Sequence, residues 1–218
     1  MTPAAEHFHR EWPEGPAVRG YLHRPAGEAI HGLVAAHGAG GNAAQPTLAA
    51  LCAAFAESGY LALRIDLPFR QDRASGPPYP SQAARDRLGM ERAAGCLREM
   101  GARRIVLAGH SYGGRQATML ASEQNDAAGA LLLLSYPLHP PGKPGQQRSA
   151  HFPGIQAPSV FVHGTRDPFG SIEEMRGALK LLSAPHSLLE VAGGDHGLRA
   201  AYKPEWLSRM IAAVGGFL

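Results

Sequence analysis

The chain has 218 residues, of which 44% are hydrophobic and 18% charged, with a formal net charge of +3. Such a length and balance suit one globular domain with a substantial core and exclude a disordered or fibrous chain. The basic residues are scattered, with no block of five or six in a row, so nucleic-acid binding has no support, and no apolar run approaches the roughly 20 residues that a membrane span needs.

The first residues, Met1 to His9, contain neither a basic n-region nor an apolar h-region, which leads us to expect a cytoplasmic protein. Cys52 and Cys96 both fall in expected helices and form no C-x-x-C. They give no disulfide framework and are expected to be ordinary buried thiols.

In chain order, His7–Glu11 and Ala17–His23 read as two strands around Pro13-Glu14-Gly15-Pro16, a spacing that predicts an antiparallel hairpin at a sheet edge. Gly32–His37 is the next strand and runs into the small-residue turn Gly38-Ala39-Gly40-Gly41-Asn42. Pro46 opens a helix of about twelve residues that stops near Ser58-Gly59. Tyr60–Asp66 is a strand, followed by Leu67-Pro68-Phe69-Arg70 and a loop over 71–80. A helical pattern occupies Ser81 to about Met100. The apolar run Arg104–Ala108 is a buried strand, and the helix after it begins near Arg115. Ala130–Tyr136 is a further strand, leading to a proline-rich loop at 137–145. Ser159–His163 follows, then a helix over Ile172–Leu182 with Ser171 as its cap, the strand Ser187–Val191 and a closing helix from Pro204 to Gly215. Strands and helices alternate throughout 1–218 with no repeat or change of composition, which predicts a single α/β domain with a mostly parallel sheet and helices on both faces.

Between the strand at 104–108 and the helix from 115 lies Gly109-His110-Ser111-Tyr112-Gly113-Gly114. A serine flanked by glycines at a strand-to-helix turn is the nucleophile-elbow pattern G-x-S-x-G. A Cβ at 109 or 113 would crowd the neighbouring strand and helix, and the serine must take a strained backbone to expose its oxygen. A serine hydroxyl is a weak nucleophile near neutral pH and needs a base, itself oriented by an acid. Asp167 follows the strand 159–163 and His196 follows the strand 187–191, in the order nucleophile, acid, base. Asp66 is the rival acid at an earlier strand end and is expected to organise its own turn. Two backbone N–H groups are expected to form an oxyanion hole, those of Tyr112 and Ala39. His37 and His163 are expected to hold loops, and His110 to point away from Ser111. Arg70, Arg73, Arg115 and Arg166 lie near the strand C-terminal ends, where Arg70 and Arg115 are the candidates for holding a substrate carboxylate. No histidine pair has metal-ligand spacing.

Four motifs together, H-G-x-G-G at 37–41, G-H-S-Y-G-G at 109–114, H-G-T-R-D-P-F-G at 163–170 and G-G-D-H at 193–196, resemble the α/β-hydrolase superfamily. Over about residues 30–200 the chain is similar to its small, lid-free, dienelactone-hydrolase-like members, and to a bacterial branch related to testis-expressed and chromatin-complex proteins in animals. It departs from true dienelactone hydrolases in carrying Ser111 where they carry cysteine. The resemblance implies acyl-transfer chemistry on Ser111, with no cofactor, no metal and no large lid domain. The expected function is hydrolysis of carboxylic esters or related small acyl compounds. Two rivals stand beside it: an acyltransferase or perhydrolase using the same triad, and a non-catalytic interaction module that kept the fold. The expected partner is a small-molecule acyl substrate, with no nucleic acid and no membrane. Nothing in the sequence specifies an oligomeric state.

Overall fold

The computed structural model describes residues 5–218; residues 1–4, part of the stretch read for a leader, lie outside the described residues. Eight strands form one sheet: β1 (Glu6–Arg10), β2 (Val18–His23), β3 (His31–Ala36), β4 (Tyr60–Ile65), β5 (Arg104–His110), β6 (Ala130–Leu134), β7 (Ser159–Gly164) and β8 (His186–Val191). Their order is β1-β2-β4-β3-β5-β6-β7-β8. The expected edge hairpin is present, with β1 antiparallel to β2 and β2 antiparallel to β4. From β4 to β8 every pairing is parallel.

Parallel strands need crossovers, and helices α1 (Pro46–Glu57), α3 (Ala83–Glu99), α4 (Tyr112–Glu123), α5 (Ile172–Leu179) and α6 (Pro204–Gly215) fill the two faces. The central strands are buried along almost their whole length because both faces are covered. In β6, Leu131 and Leu133 pack with α3, α4 and α5 residues such as Met90, Leu120 and Met175. Leu132 and Leu134 point to the other side and join Leu51 and Phe55 of α1 with Leu207 and Met210 of α6. Cys52 and Cys96 are both free and buried.

Several boundaries differ from the sequence reading, each for a local reason. Leu67-Pro68-Phe69-Arg70 opens a short helix, α2 (Pro68–Asp72), with proline in its first turn. Helix α4 starts at Tyr112 rather than near Arg115, because Ser111 is itself the residue before the helix. Helix α5 stops at Leu179, three residues before the expected end. Its start matches the reading: Glu174 N–H donates to Ser171 Oγ at 3.1 Å and Ser171 N–H donates to the Glu174 carboxylate at 2.8 Å, a capping box. No separate lid domain is inserted among the described residues. The β6–β7 connection carries only the short helical turn Phe152–Gly154. None of the described helices is long and apolar enough to cross a membrane.

The parallel ladder β4-β3-β5-β6-β7-β8 brings the C-terminal ends of these strands to one edge, and there the glycines of the elbow meet hard limits. A Cβ on Gly109 would lie 2.3 Å from Gly114 N, and one on Gly113 would lie 2.6 Å from the Ala36 carbonyl oxygen. Gly95, inside α3, has nothing within 4 Å of such a Cβ. Urea unfolding should therefore separate the two kinds of site. Gly95→Ala should add about 0.5–1 kcal/mol of stability, whereas Gly109→Ala should remove about 1–3 kcal/mol; losses of similar size would contradict the packing described.

Candidate active site

Ser111 sits at φ 51°, ψ −114°, a left-handed backbone that few non-glycine residues adopt. Its N–H donates to the Leu134 carbonyl of β6 at 2.8 Å, and its own carbonyl accepts from Arg115 N–H at 3.0 Å, so strand and helix grip the turn from both sides. The side chain is thereby held above the sheet edge.

The two loops that face Ser111 descend from β7 and β8. His196 Nε2 lies 2.8 Å from Ser111 Oγ. On the other side of the ring, Nδ1 lies 3.0 and 2.9 Å from the two Asp167 oxygens. That pattern assigns the tautomer, with Nδ1–H donating to the carboxylate and Nε2 free to accept the Ser111 hydroxyl proton. Burial pushes the Asp167 carboxyl up, but the hydrogen bond and charge of His196 and the Phe169 N–H outweigh it and hold the group below its ordinary value. Phe169 N–H donates to Asp167 at 2.9 Å, and the Phe169 ring stacks on His196 with centroids 4.1 Å apart. The two loops are also fastened to each other. Arg166 N–H donates to the Gly194 carbonyl at 2.8 Å and Gly193 N–H donates to Thr165 Oγ1 at 2.8 Å.

The other acid and the other histidines have different work. Asp66, expected to organise its own turn, instead ties neighbouring elements together: it accepts from Ala43 N–H in the loop after β3 at 2.8 Å and pairs with Arg19 of β2 at 3.5 Å. His37 spans the first loop, with Nδ1 2.8 Å from the Gly38 carbonyl and Nε2 accepting from Leu67 N–H at 3.1 Å. His163 Nε2 donates to the Gly170 carbonyl at 2.8 Å, closing the turn that bears Asp167. His110, expected to point away from Ser111, lines the same cleft as Ser111. It donates from Nε2 to the His196 carbonyl at 2.8 Å and so buttresses the loop that carries the candidate base. Burial lowers the His110 pKa, against the bond to the His196 carbonyl, which raises it.

Ala39 and Tyr112 both line the cleft beside Ser111. Tyr112 is the first residue of α4, so its N–H is one of those a helix leaves without an internal partner. The Gly38 carbonyl is engaged by His37 Nδ1 and by Gly41 N–H at 3.0 Å. A trans peptide then turns the Ala39 N–H the opposite way. Behind Tyr112, its hydroxyl donates to the fully buried Asp86 at 2.6 Å, and Asp86 also accepts from Phe69 N–H at 2.9 Å. Burial raises the Asp86 pKa, against the pull of these two donors.

Arg70 requires a correction. It is 6% exposed and does not line the cleft. Its guanidinium donates to the carbonyls of Gly41 at 2.8 Å, Ala39 at 2.7 Å, Gly76 at 3.0 Å and Arg73 at 3.1 Å. Those donors are spent on main chain, so Arg70 shapes the glycine-rich loop instead of meeting a substrate. Arg115 does line the cleft, as does Arg148, which the sequence reading passed over. The cleft measures about 750 Å³ and its outer wall is apolar, built from Pro77, Pro78, Tyr79 and Met119. Among the described residues no group of three or more His, Cys, Asp or Glu is placed to hold a metal ion.

An eight-stranded, mostly parallel sheet with a serine elbow at its C-terminal edge defines the α/β-hydrolase fold. The alpha/beta hydrolase domain family model matches residues 29–209, and the chain belongs to that family. Solved structures agree on the fold. An α/β serine hydrolase homologue from Coxiella burnetii superposes with a TM-score of 0.75 at 20% identity, covering 97% of each chain. A dienelactone hydrolase from Anabaena variabilis gives 0.75 at 18% identity over 100% of this chain and 97% of its own. An α/β serine hydrolase without a lid from Xanthomonas campestris gives 0.74 at 15% identity, over 100% of this chain and 97% of its own.

The reassignment of Arg70 can be tested by stability. Arg70→Met should cost about 2–3 kcal/mol in urea unfolding, since it leaves several loop carbonyls without their charged donor. A loss below about 0.5 kcal/mol would return Arg70 to the substrate-holding role expected from sequence.

Proposed function

We propose that this protein is a serine hydrolase that cleaves carboxylic esters or related small acyl compounds through an acyl-enzyme on Ser111. The observation that carries the reading is the continuous line Ser111 Oγ, His196, Asp167, with contacts of 2.8 Å and 2.9–3.0 Å. Three residues from three separate loops meet in one line that ends on the buried Asp167, and only proton transfer from the serine makes use of all of them.

In the first half of the reaction, His196 Nε2 takes the Ser111 proton as Oγ attacks the acyl carbon. The carbonyl oxygen gains charge and is held by the N–H groups of Tyr112 and Ala39. The bond from the acyl carbon to the leaving oxygen then breaks, and His196 returns its proton to the departing alcohol. In the second half, His196 takes a proton from water, the hydroxide attacks the acyl carbon, and the bond to Oγ breaks as the proton returns to Ser111. The ionised Asp167 stabilises the imidazolium at both stages. The open cleft, the lack of an inserted lid domain among the described residues and the lidless serine hydrolase among the similar structures support short acyl groups.

A fluorophosphonate probe should label the wild type, and Ser111→Ala should abolish labelling; an unlabelled, folded wild type would sink the hydrolase reading. With p-nitrophenyl acetate, Asp167→Asn should cut turnover by about 10⁴-fold, through the wrong imidazole tautomer. Asp66→Asn should cost far less, and equal losses in the two variants would remove Asp167 from the site.

A further inference from the structure

The hydrolase reading leaves two cations in the cleft without a task. Ser111, Arg115 and Met119 follow one another at four-residue spacing along one face of α4, and all three line the cleft. Arg115 thus stands one helical turn, about 5.4 Å of rise, beyond the nucleophile. Among the described residues its guanidinium has no carboxylate partner, and its Nε is buried without any hydrogen bond. From the β6–β7 loop, Arg148 enters the same cleft and spends one donor on the Pro137 carbonyl at a long 3.4 Å.

None of the residues lining the cleft is acidic. The nearby charged groups are already engaged: Arg87 pairs with Glu123 at 2.9 Å, and Asp86 accepts from Tyr112 and Phe69. His151 cannot supply a counter-charge, and burial together with Arg115 and Arg87 lowers its pKa to about 4. Burial, and then the charge of Arg115, also lower the Arg148 pKa, as expected for two neighbouring cations with no anion between them. Elsewhere some arginines find carboxylates, as Arg85 does with Asp72 at 2.5 Å and Arg176 with Glu190 at 2.5 Å, and others, such as Arg92 and Arg98, spend two donors on main-chain carbonyls. Two partly buried guanidiniums left bare beside a candidate nucleophile repel each other and retain their donors for something else.

We propose that Arg115 and Arg148 form an anion subsite that holds a carboxylate or phosphate group on the substrate, so that this protein acts on short esters bearing such a group a few bonds from the scissile carbonyl. Guanidinium matches the planar, bidentate geometry of these oxyanions. The cation one turn from Ser111 sets the short spacing, and the apolar wall of Pro77, Pro78 and Tyr79 takes the uncharged part. The substrate class rests on the hydrolase reading; the anion subsite itself does not.

Two measurements test it. Calorimetric titration with sodium succinate and with inorganic phosphate should show binding to the wild type, weakened about tenfold by Arg115→Gln and by Arg148→Gln, and the stronger of the two anions identifies the group preferred. In a pH-stat, kcat/KM for monoethyl succinate should exceed that for ethyl butyrate about tenfold, and either variant should pull that ratio towards one. Because Arg148 lies in a loop, its variant keeps the test valid if Arg115→Gln does not fold. No binding of either anion to the wild type, or a binding constant and an ester ratio unchanged in the folded variants, would overturn the subsite. A protein that binds succinate through both arginines yet hydrolyses neither ester keeps the subsite and loses the hydrolase reading. One that hydrolyses ethyl butyrate without binding either anion does the reverse.

Discussion

Everything at the candidate site depends on the backbone of Ser111 at φ 51°, ψ −114°. A residue in that region stores of order 1–3 kcal/mol of strain and stays there only when its surroundings leave no alternative. Here the surroundings are specific. Gly109 lets the helix fold back against its own strand and Gly113 lets it press against the end of β3, with no room for a Cβ at either position. The Leu134 carbonyl of β6 holds the Ser111 N–H, and the first turn of α4 holds its carbonyl. The tight sheet on one side and the helix on the other keep the hydroxyl where His196 can reach it.

The sheet order converts that local constraint into a site. Strands β3, β5, β7 and β8 are far apart in the chain, yet the parallel ladder β3-β5-β6-β7-β8 delivers the loops after them to one edge. Each loop is then stiffened by a polar side chain bonded to main chain: the buried His37 in the first and His163 in the acid loop, and the half-buried His110 across to the base loop. Arg70 performs the same service for the glycine-rich turn with four carbonyl bonds. Buried polar groups of this kind specify one loop geometry, because any other would leave them unpaired.

How much of this was legible in the sequence follows from what each residue needs. The elbow could be read because its glycines are required by local sterics, and a local requirement leaves a local pattern. Asp167 and His196 could be read because each lies just after an apolar strand, and the edge hairpin because turn residues separate two short strands. Arg70 was misjudged for the opposite reason. Composition near a strand end shows that an arginine is close to the cleft but not which way its donors point. The carbonyls that claim them come from residues 39, 41, 73 and 76. Phe169 stacked on His196, His110 bracing the base loop and Asp86 behind Tyr112 are likewise tertiary pairings, with partners 26 to 86 residues away, or 27 for Phe169. Arg148 was missed because it sits in a proline-flanked loop whose path no periodicity describes.

The central claim is that one geometry presents Ser111 to an acyl group and two main-chain N–H groups to the oxygen that gains charge. A crystal structure with phenylboronic acid tests it most directly, since boron bonded to a serine mimics the tetrahedral intermediate. The account predicts boron bonded to Ser111 Oγ, with one boronate oxygen about 2.7–3.1 Å from the N–H groups of Tyr112 and Ala39. Boron bonded to another residue, or a boronate oxygen turned away from both N–H groups, would contradict it.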